Sequence, residues 1–160
     1  MKWDLPSPFI HQRIAVHNEI DGYGHVNNAV YVAWLDDCAW AHSISRGISP
    51  ELCRSLNRGM AVWRTQINYI RPALEGDRIE VGTWPVVNDC KLRIERRFQI
   101  QRASDGETLL RALLHYVCID LHTGRAKRMP EEFTRYVVLP EVAEAVAAET
   151  EAYQPGVEPR

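Results

Sequence analysis

One change of hydrophobic period limits what this chain can fold into. From about Asn28 to Arg46, Tyr31, Trp34, Leu35, Cys38 and Ala41 recur at helical spacing, and Val30, Ala33 and Ala39 widen the stripe. Asn27 can cap such a helix, Gly47 can follow its end, and Pro50 prevents its continuation. The stripe is too broad for a surface helix, so this helix is predicted to be largely buried. From residue 61 to 121 the period is two instead.

The segment Ala61–Ile70 sets Trp63, Thr65, Ile67 and Tyr69 against Val62, Arg64, Gln66, Asn68 and Ile70. Strands are predicted next over Arg78–Val87, Lys91–Arg102 and Glu107–Leu121, separated by turns rich in glycine, asparagine and aspartate. A first strand, Phe9–Asn18, precedes the helix with imperfect alternation. One strand, one long helix and four more strands predict an α+β domain with an antiparallel sheet. Long strands can curve around a helix about 28 Å long.

Composition narrows the function. The 160 residues, 18.4 kDa, fit one domain. Nineteen basic and 21 acidic residues leave a net charge of −2, without the basic excess of a nucleic-acid binder. No apolar run approaches the roughly 20 residues of a membrane span. The stretch Met1–Pro6 lacks the apolar core of a secretory leader, which predicts a cytoplasmic location. Cys38, Cys53, Cys90 and Cys118 are then expected as free thiols, and their wide spacing suggests no metal site. Residues 141–160 carry five glutamates and one arginine. A division follows into a domain over 1–135 and, over 136–160, a terminal helix with a frayed Gln154-Pro155-Gly156 end.

Chemistry concentrates in Glu19-Ile20-Asp21-Gly22-Tyr23-Gly24-His25-Val26-Asn27-Asn28-Ala29-Val30-Tyr31. A strand-end acid, a glycine turn and two asparagines lead into the buried helix. The free N–H groups at a helix start suit a developing oxyanion, so this is a minimal acyl-transfer arrangement. Equally, Asp21 can simply cap the turn, with the glycines supplying positive φ.

This run, with Trp34-Leu35-Asp36 after it, resembles the hotdog-fold acyl-CoA thioesterases of the 4-hydroxybenzoyl-CoA thioesterase type. A second signature also fits, Tyr69-Ile70-Arg71-Pro72-Ala73 followed by Gly76-Asp77-Arg78-Ile79. The resemblance spans roughly residues 9–135. It implies a long helix wrapped by a five-stranded antiparallel sheet, with protomers paired sheet edge to sheet edge as a homodimer or homotetramer. It implies an acyl-CoA substrate, active sites at the dimer interface and no cofactor. Asp21 corresponds to the catalytic carboxylate, nucleophile or general base, and Asn28 to the backbone N–H that polarises the thioester carbonyl. His25 is a further catalytic candidate. Tyr23, Gly24, Tyr31 and Lys91 are the substrate-contacting candidates.

Other residues carry two readings each. Glu19 either tunes Asp21 by like charge or is a solvated strand end. Asp36 and Asp37, mid-helix, either face a site across an interface or bond strand backbone, and Arg64 is a candidate partner for them. Lys91, Arg93, Arg96 and Arg97 are a local basic excess suited to phosphate, while Arg93, Glu95 and Arg97 can equally form a solvated or interface strand face. The turn before them has only Lys91 as a clear cation, which leaves acyl-CoA and acyl-carrier-protein substrates both open. The five tryptophans can supply an acyl pocket or the core. No serine sits in a G-x-S-x-G context. A hotdog dehydratase would need a hydration motif that is missing, and a non-catalytic acyl-CoA sensor is the remaining rival.

Overall fold

The computed structural model describes residues 2–149 and 152–155. The striped segment forms α1, Asn28–Ser45. Asn27 caps it, its side-chain oxygen accepting from Ala29 N at 2.9 Å, and Gly47 follows its end at φ +76°. Pro50 stops α1 as expected and also opens a second helix, α2 (Pro50–Leu56), whose cap is Ser49. A seven-residue helix is too short to show a period, so α2 was not predicted.

Five strands follow the predicted order: β1 (Phe9–Ile14) before α1, then β2 (Arg58–Tyr69), β3 (Arg78–Asn88), β4 (Arg93–Arg102) and β5 (Thr108–Asp120). They make one antiparallel sheet in the order β1-β3-β4-β5-β2. Trp34, Leu35 and Cys38 of α1 pack fully buried against Ile79, Val81, Phe98, Ile100, Leu110, Ala112 and Leu114 of the sheet's inner face. This is the hotdog arrangement, a long helix held within a five-stranded sheet.

Two strands differ from their predicted patterns. β1 ends at Ile14, because Ala15 N turns away to Asp77 O at 3.0 Å and His17–Glu19 form a 3-10 turn. Its half-buried side is Phe9, His11 and Arg13, while Ile10 and Ile14 are exposed. The Arg13 guanidinium lies 4.7 Å from the centre of the Trp34 ring, so a charged residue covers the core's edge. In β2 a bulge between Val62 and Arg64 breaks the alternation. Val62 stays opposite Tyr116 on the helix side, and Trp63 turns out to within 5.4 Å of His115.

The outer face is polar yet closed. Arg97, Gln99, Gln101 and Arg111 are all buried there. The amides of Gln99 and Gln101 donate to Lys2 O at 3.2 and 2.6 Å, and Arg111 donates twice to Asp4, at 2.6 and 3.0 Å. Arg97 donates to both Glu149 oxygens, at 2.6 and 2.8 Å, with the Tyr153 ring 3.7 Å away. A third helix, α3 (Pro140–Ala147), adds Val142 to Leu5 and Trp84. The end expected to fray reaches Gly156, which lies outside the described residues.

Gly82 lets the N-terminal segment sit this close. A Cβ there would lie 2.5 Å from the Trp3 ring. Gly82→Ala is expected to push Trp3 off the sheet and lower stability by about 1–3 kcal/mol in urea unfolding. An unchanged midpoint would show that Trp3 does not hold this face.

Candidate active site

The turn after β1 is a small hairpin. Ile20 bridges Val26, Asp21 N donates to His25 O at 2.7 Å, and Asn27 N donates to Glu19 O at 2.8 Å. Inside it Gly24 adopts φ +78°, a conformation that glycine reaches without a Cβ clash. Asp21 thereby sits in a closed turn that leads directly into α1. Its Oδ1 accepts from Tyr23 N at 2.8 Å and His25 N at 3.3 Å. Among the described residues its Oδ2 has no partner.

Asn28 is the first residue of α1. Ala29 N is taken by the Asn27 side chain and Val30 N by Asn27 O, both at 2.9 Å. Among the described residues the Asn28 N–H has no acceptor, which leaves a free donor at the positive end of an 18-residue helix. A free carboxylate oxygen and a free helix N–H therefore belong to one turn.

The second signature clamps this turn. The Tyr69 hydroxyl donates to Asn28 O at 2.9 Å, Ala73 N donates to the Tyr31 hydroxyl at 2.8 Å, and Val26 N donates to Ala73 O at 3.0 Å. These bonds were not legible in the sequence, although the recurrence of both motifs in one chain was the available signal.

The structure sorts the other candidates. Tyr23, Gly24 and His25 are exposed beside Asp21, and His25 reaches it through backbone alone. Tyr31, expected to touch substrate, lies in the core at 3% exposure between Trp34 and Tyr69. Glu19 is neither solvated nor turned toward Asp21. It accepts from Arg13 at 2.7 Å, Trp34 Nε1 at 3.1 Å and Val16 N at 3.0 Å, fixing the base of the hairpin. Asp37 pairs with Arg13 at 3.0 Å, and among the described residues neither Asp36 nor Asp37 bonds strand backbone. Arg64 stands opposite His115 in the sheet rather than beside either acid.

Lys91 lies in the β3–β4 turn, where Asp89 gathers the N–H groups of Lys91, Leu92 and Arg93 at 2.8, 2.8 and 2.9 Å. β3 starts beside the Asp21 end and runs 11 residues away from it. Within one chain Lys91 and Asp21 therefore sit at opposite ends of the sheet. The basic run divides, with Lys91 and Arg93 exposed and Arg96 and Arg97 buried.

A cavity of about 290 Å³ opens beside the second half of α1, lined among others by Asp36, Trp40, Cys53, Val62, Arg96 and Tyr116. Burial, and then the neighbouring Asp37, raise the pKa of Asp36.

The thioesterase-like superfamily model matches residues 15–137. The chain belongs to this superfamily. Its members are thioester hydrolases, and this chain is such an enzyme. It is 30% identical over 113 residues to the long-chain acyl-CoA thioesterase FadM of Escherichia coli K12, covering 71% of this chain and 84% of that one. Two solved structures share the superfamily fold. One is Staphylococcus aureus SAV2348 in complex with CoA, at TM-score 0.76 and 20% identity, covering 94% of this chain and 91% of that one. The other is Slr0204, a 1,4-dihydroxy-2-naphthoyl-CoA thioesterase from Synechocystis, at TM-score 0.73 and 21% identity, covering 81% and 95%.

Behind the cavity, Arg96 donates to His42 Nδ1 at 2.9 Å. Arginine has no acceptor, so this histidine nitrogen must accept and the ring is neutral. Burial, and then Arg96, push its pKa down to about 3. In the unfolded chain it titrates near about 6.5. Between those values the unfolded state binds the extra proton. This contribution to stability is therefore present above about pH 6.5 and lost as pH falls toward about 3, at up to about 1.4 kcal/mol per unit. His42→Gln is expected to flatten that stretch of a stability–pH profile from urea melts. An unaltered slope would show that His42 is not the responsible group.

Proposed function

We propose that this enzyme hydrolyses acyl-CoA thioesters as a homodimer, with Asp21 as the reacting carboxylate and Asn28 N–H as the oxyanion donor. The observation that carries the assignment is the pairing in one turn of a free Asp21 oxygen with the unaccepted Asn28 N–H. Membership of the superfamily and the similarity to an acyl-CoA thioesterase support the substrate class.

The thioester carbonyl oxygen accepts from Asn28 N–H, and its growing negative charge is stabilised at the helix start. Asp21 takes a proton from water as the water oxygen attacks the carbonyl carbon. The C–S bond then breaks, the sulfur takes the proton back from Asp21 and leaves as the CoA thiol, and the acid is released. Direct attack by Asp21, through a mixed anhydride, is the second route the same geometry serves. Tyr23, Gly24 and His25 border the approach to the carbonyl.

The dimer reading rests on β2. It is an unpaired edge 12 residues long, with Val62, Trp63 and Tyr69 exposed, and such an edge invites strand pairing. Antiparallel pairing of two β2 edges would set the Arg58 end of one protomer beside the Tyr69 end of its partner. The Lys91 turn of one chain then lies on the side of the partner's reacting turn, which suits a phosphate contact there. The outer face already carries Lys2–Pro6 and α3, so any dimer of dimers pairs through other surfaces.

Asp21→Asn is expected to lower kcat by about 10²–10⁴-fold in a thiol-release assay with an acyl-CoA panel, while a CoA-induced rise in Tm persists. Wild-type turnover in that variant would reject the assignment. Light scattering at micromolar concentration is expected to give the mass of two chains, and a monomer mass would reject the shared site.

A further inference from the structure

The chain closes its buried arginines with carboxylates, with one exception. Arg111 is paired with Asp4 and Arg97 with Glu149. Arg96, one residue away on the sheet's inner face, is 3% exposed and has no acid partner among the described residues. Its Nη1 is spent on neutral His42, the Tyr136 ring lies 5.8 Å from its Cζ, and among the described residues its buried Nε has no partner. A buried cation without a counter-charge is costly unless something supplies one.

Arg96 also stands in the wall of the 290 Å³ cavity, whose other lining is mainly apolar and includes Trp40, Met60, Val62 and Tyr116. The cavity and the Asp21 turn both border α1, the turn at its start and the cavity from Asp36 onward. Asn28, Val32, Asp36 and Trp40 follow at four-residue steps, and Val32 and Trp40 are exposed. Asn28 to Asp36 is about 12 Å of helix. An acyl chain whose carbonyl sits at Asn28 N–H can lie along this face and end in the cavity.

We propose that this cavity is the subsite for the distal end of the acyl group, and that Arg96 selects acyl chains ending in a carboxylate. The inference rests on the thioester-hydrolase reading of the Asp21 turn. A carboxylate there would give Arg96 the charge-assisted partner that its two neighbours in kind already have. Asp36, exposed on α1 and lining the same cavity, opposes an incoming anion in its ionised form, so its charge works against the preference that Arg96 sets.

The test compares suberoyl-CoA with octanoyl-CoA, matched in chain length and differing in the terminal carboxyl. The wild type is expected to favour suberoyl-CoA in kcat/KM by about tenfold or more. Arg96→Met is expected to abolish that ratio. Asp36→Asn, on the exposed side of α1, keeps the comparison available should the buried variant fail to fold, and is expected to widen the ratio. Binding is read separately, without turnover, by thermal shift. Monomethyl suberate is expected to raise Tm, and methyl octanoate is not.

A wild-type ratio at or below one overturns the subsite, whatever the variants do. Turnover of octanoyl-CoA without a carboxylate preference overturns it while leaving the thioester reading intact. If neither thioester turns over and monomethyl suberate still binds, the thioester reading fails and the anion-binding cavity stands. If neither turnover nor binding occurs, both fall.

Discussion

The structure depends on the lock between two turns that lie about fifty residues apart. Val26 N to Ala73 O, Ala73 N to the Tyr31 hydroxyl, and the Tyr69 hydroxyl to Asn28 O tie the end of β2 to the start of α1. Ala15 and Asp77 add a second rung through Ala15 N, and Gly76 N returns a bond to Ala15 O. Arg102 extends the lock, donating to Asp77 and to Pro72 O. It holds the turn that carries Asp21 against the junction between β2 and β3. Ala73, fully buried, has no room for a larger residue at the junction.

The two faces of the sheet solve different problems. Inside, apolar residues of β3, β4 and β5 meet Trp34 and Leu35, where burial area drives association. Outside, a polar surface is removed from water by the chain's own ends. That is tolerable because the arginines and glutamines there find acceptors or donors in Lys2, Asp4 and Glu149. The N-terminal segment and α3 thus act as a cover that combines these hydrogen bonds with the apolar cluster of Leu5, Trp84 and Val142.

The Asp21 turn and the cavity border different stretches of the same helix. The turn uses the helix start, where backbone donors are free; the cavity uses the second half, where α1 leaves space against β2, β4 and β5. β2 borders both and keeps an open edge. A long open strand edge beside a candidate site is the physical basis of the proposed dimer.

By itself the sequence determined the period switch, and with it one buried helix and a run of antiparallel strands, because side-chain periodicity is a local property. It also placed Asp21, the glycine turn and the Asn27 cap, whose roles depend on neighbours only a few residues away. Tertiary structure alone decided what long-range partners do. Glu19 became a clasp for Arg13 and Trp34, and Tyr31 a buried acceptor. The bulge at Trp63 reassigned the faces of β2, since one extra residue inverts an alternation that spacing alone cannot correct. Arg96 and Arg97, adjacent in sequence, were sent to opposite faces of β4, one closed by a carboxylate and one left open to a cavity. Which of them met its counter-charge depended on segments more than fifty residues away.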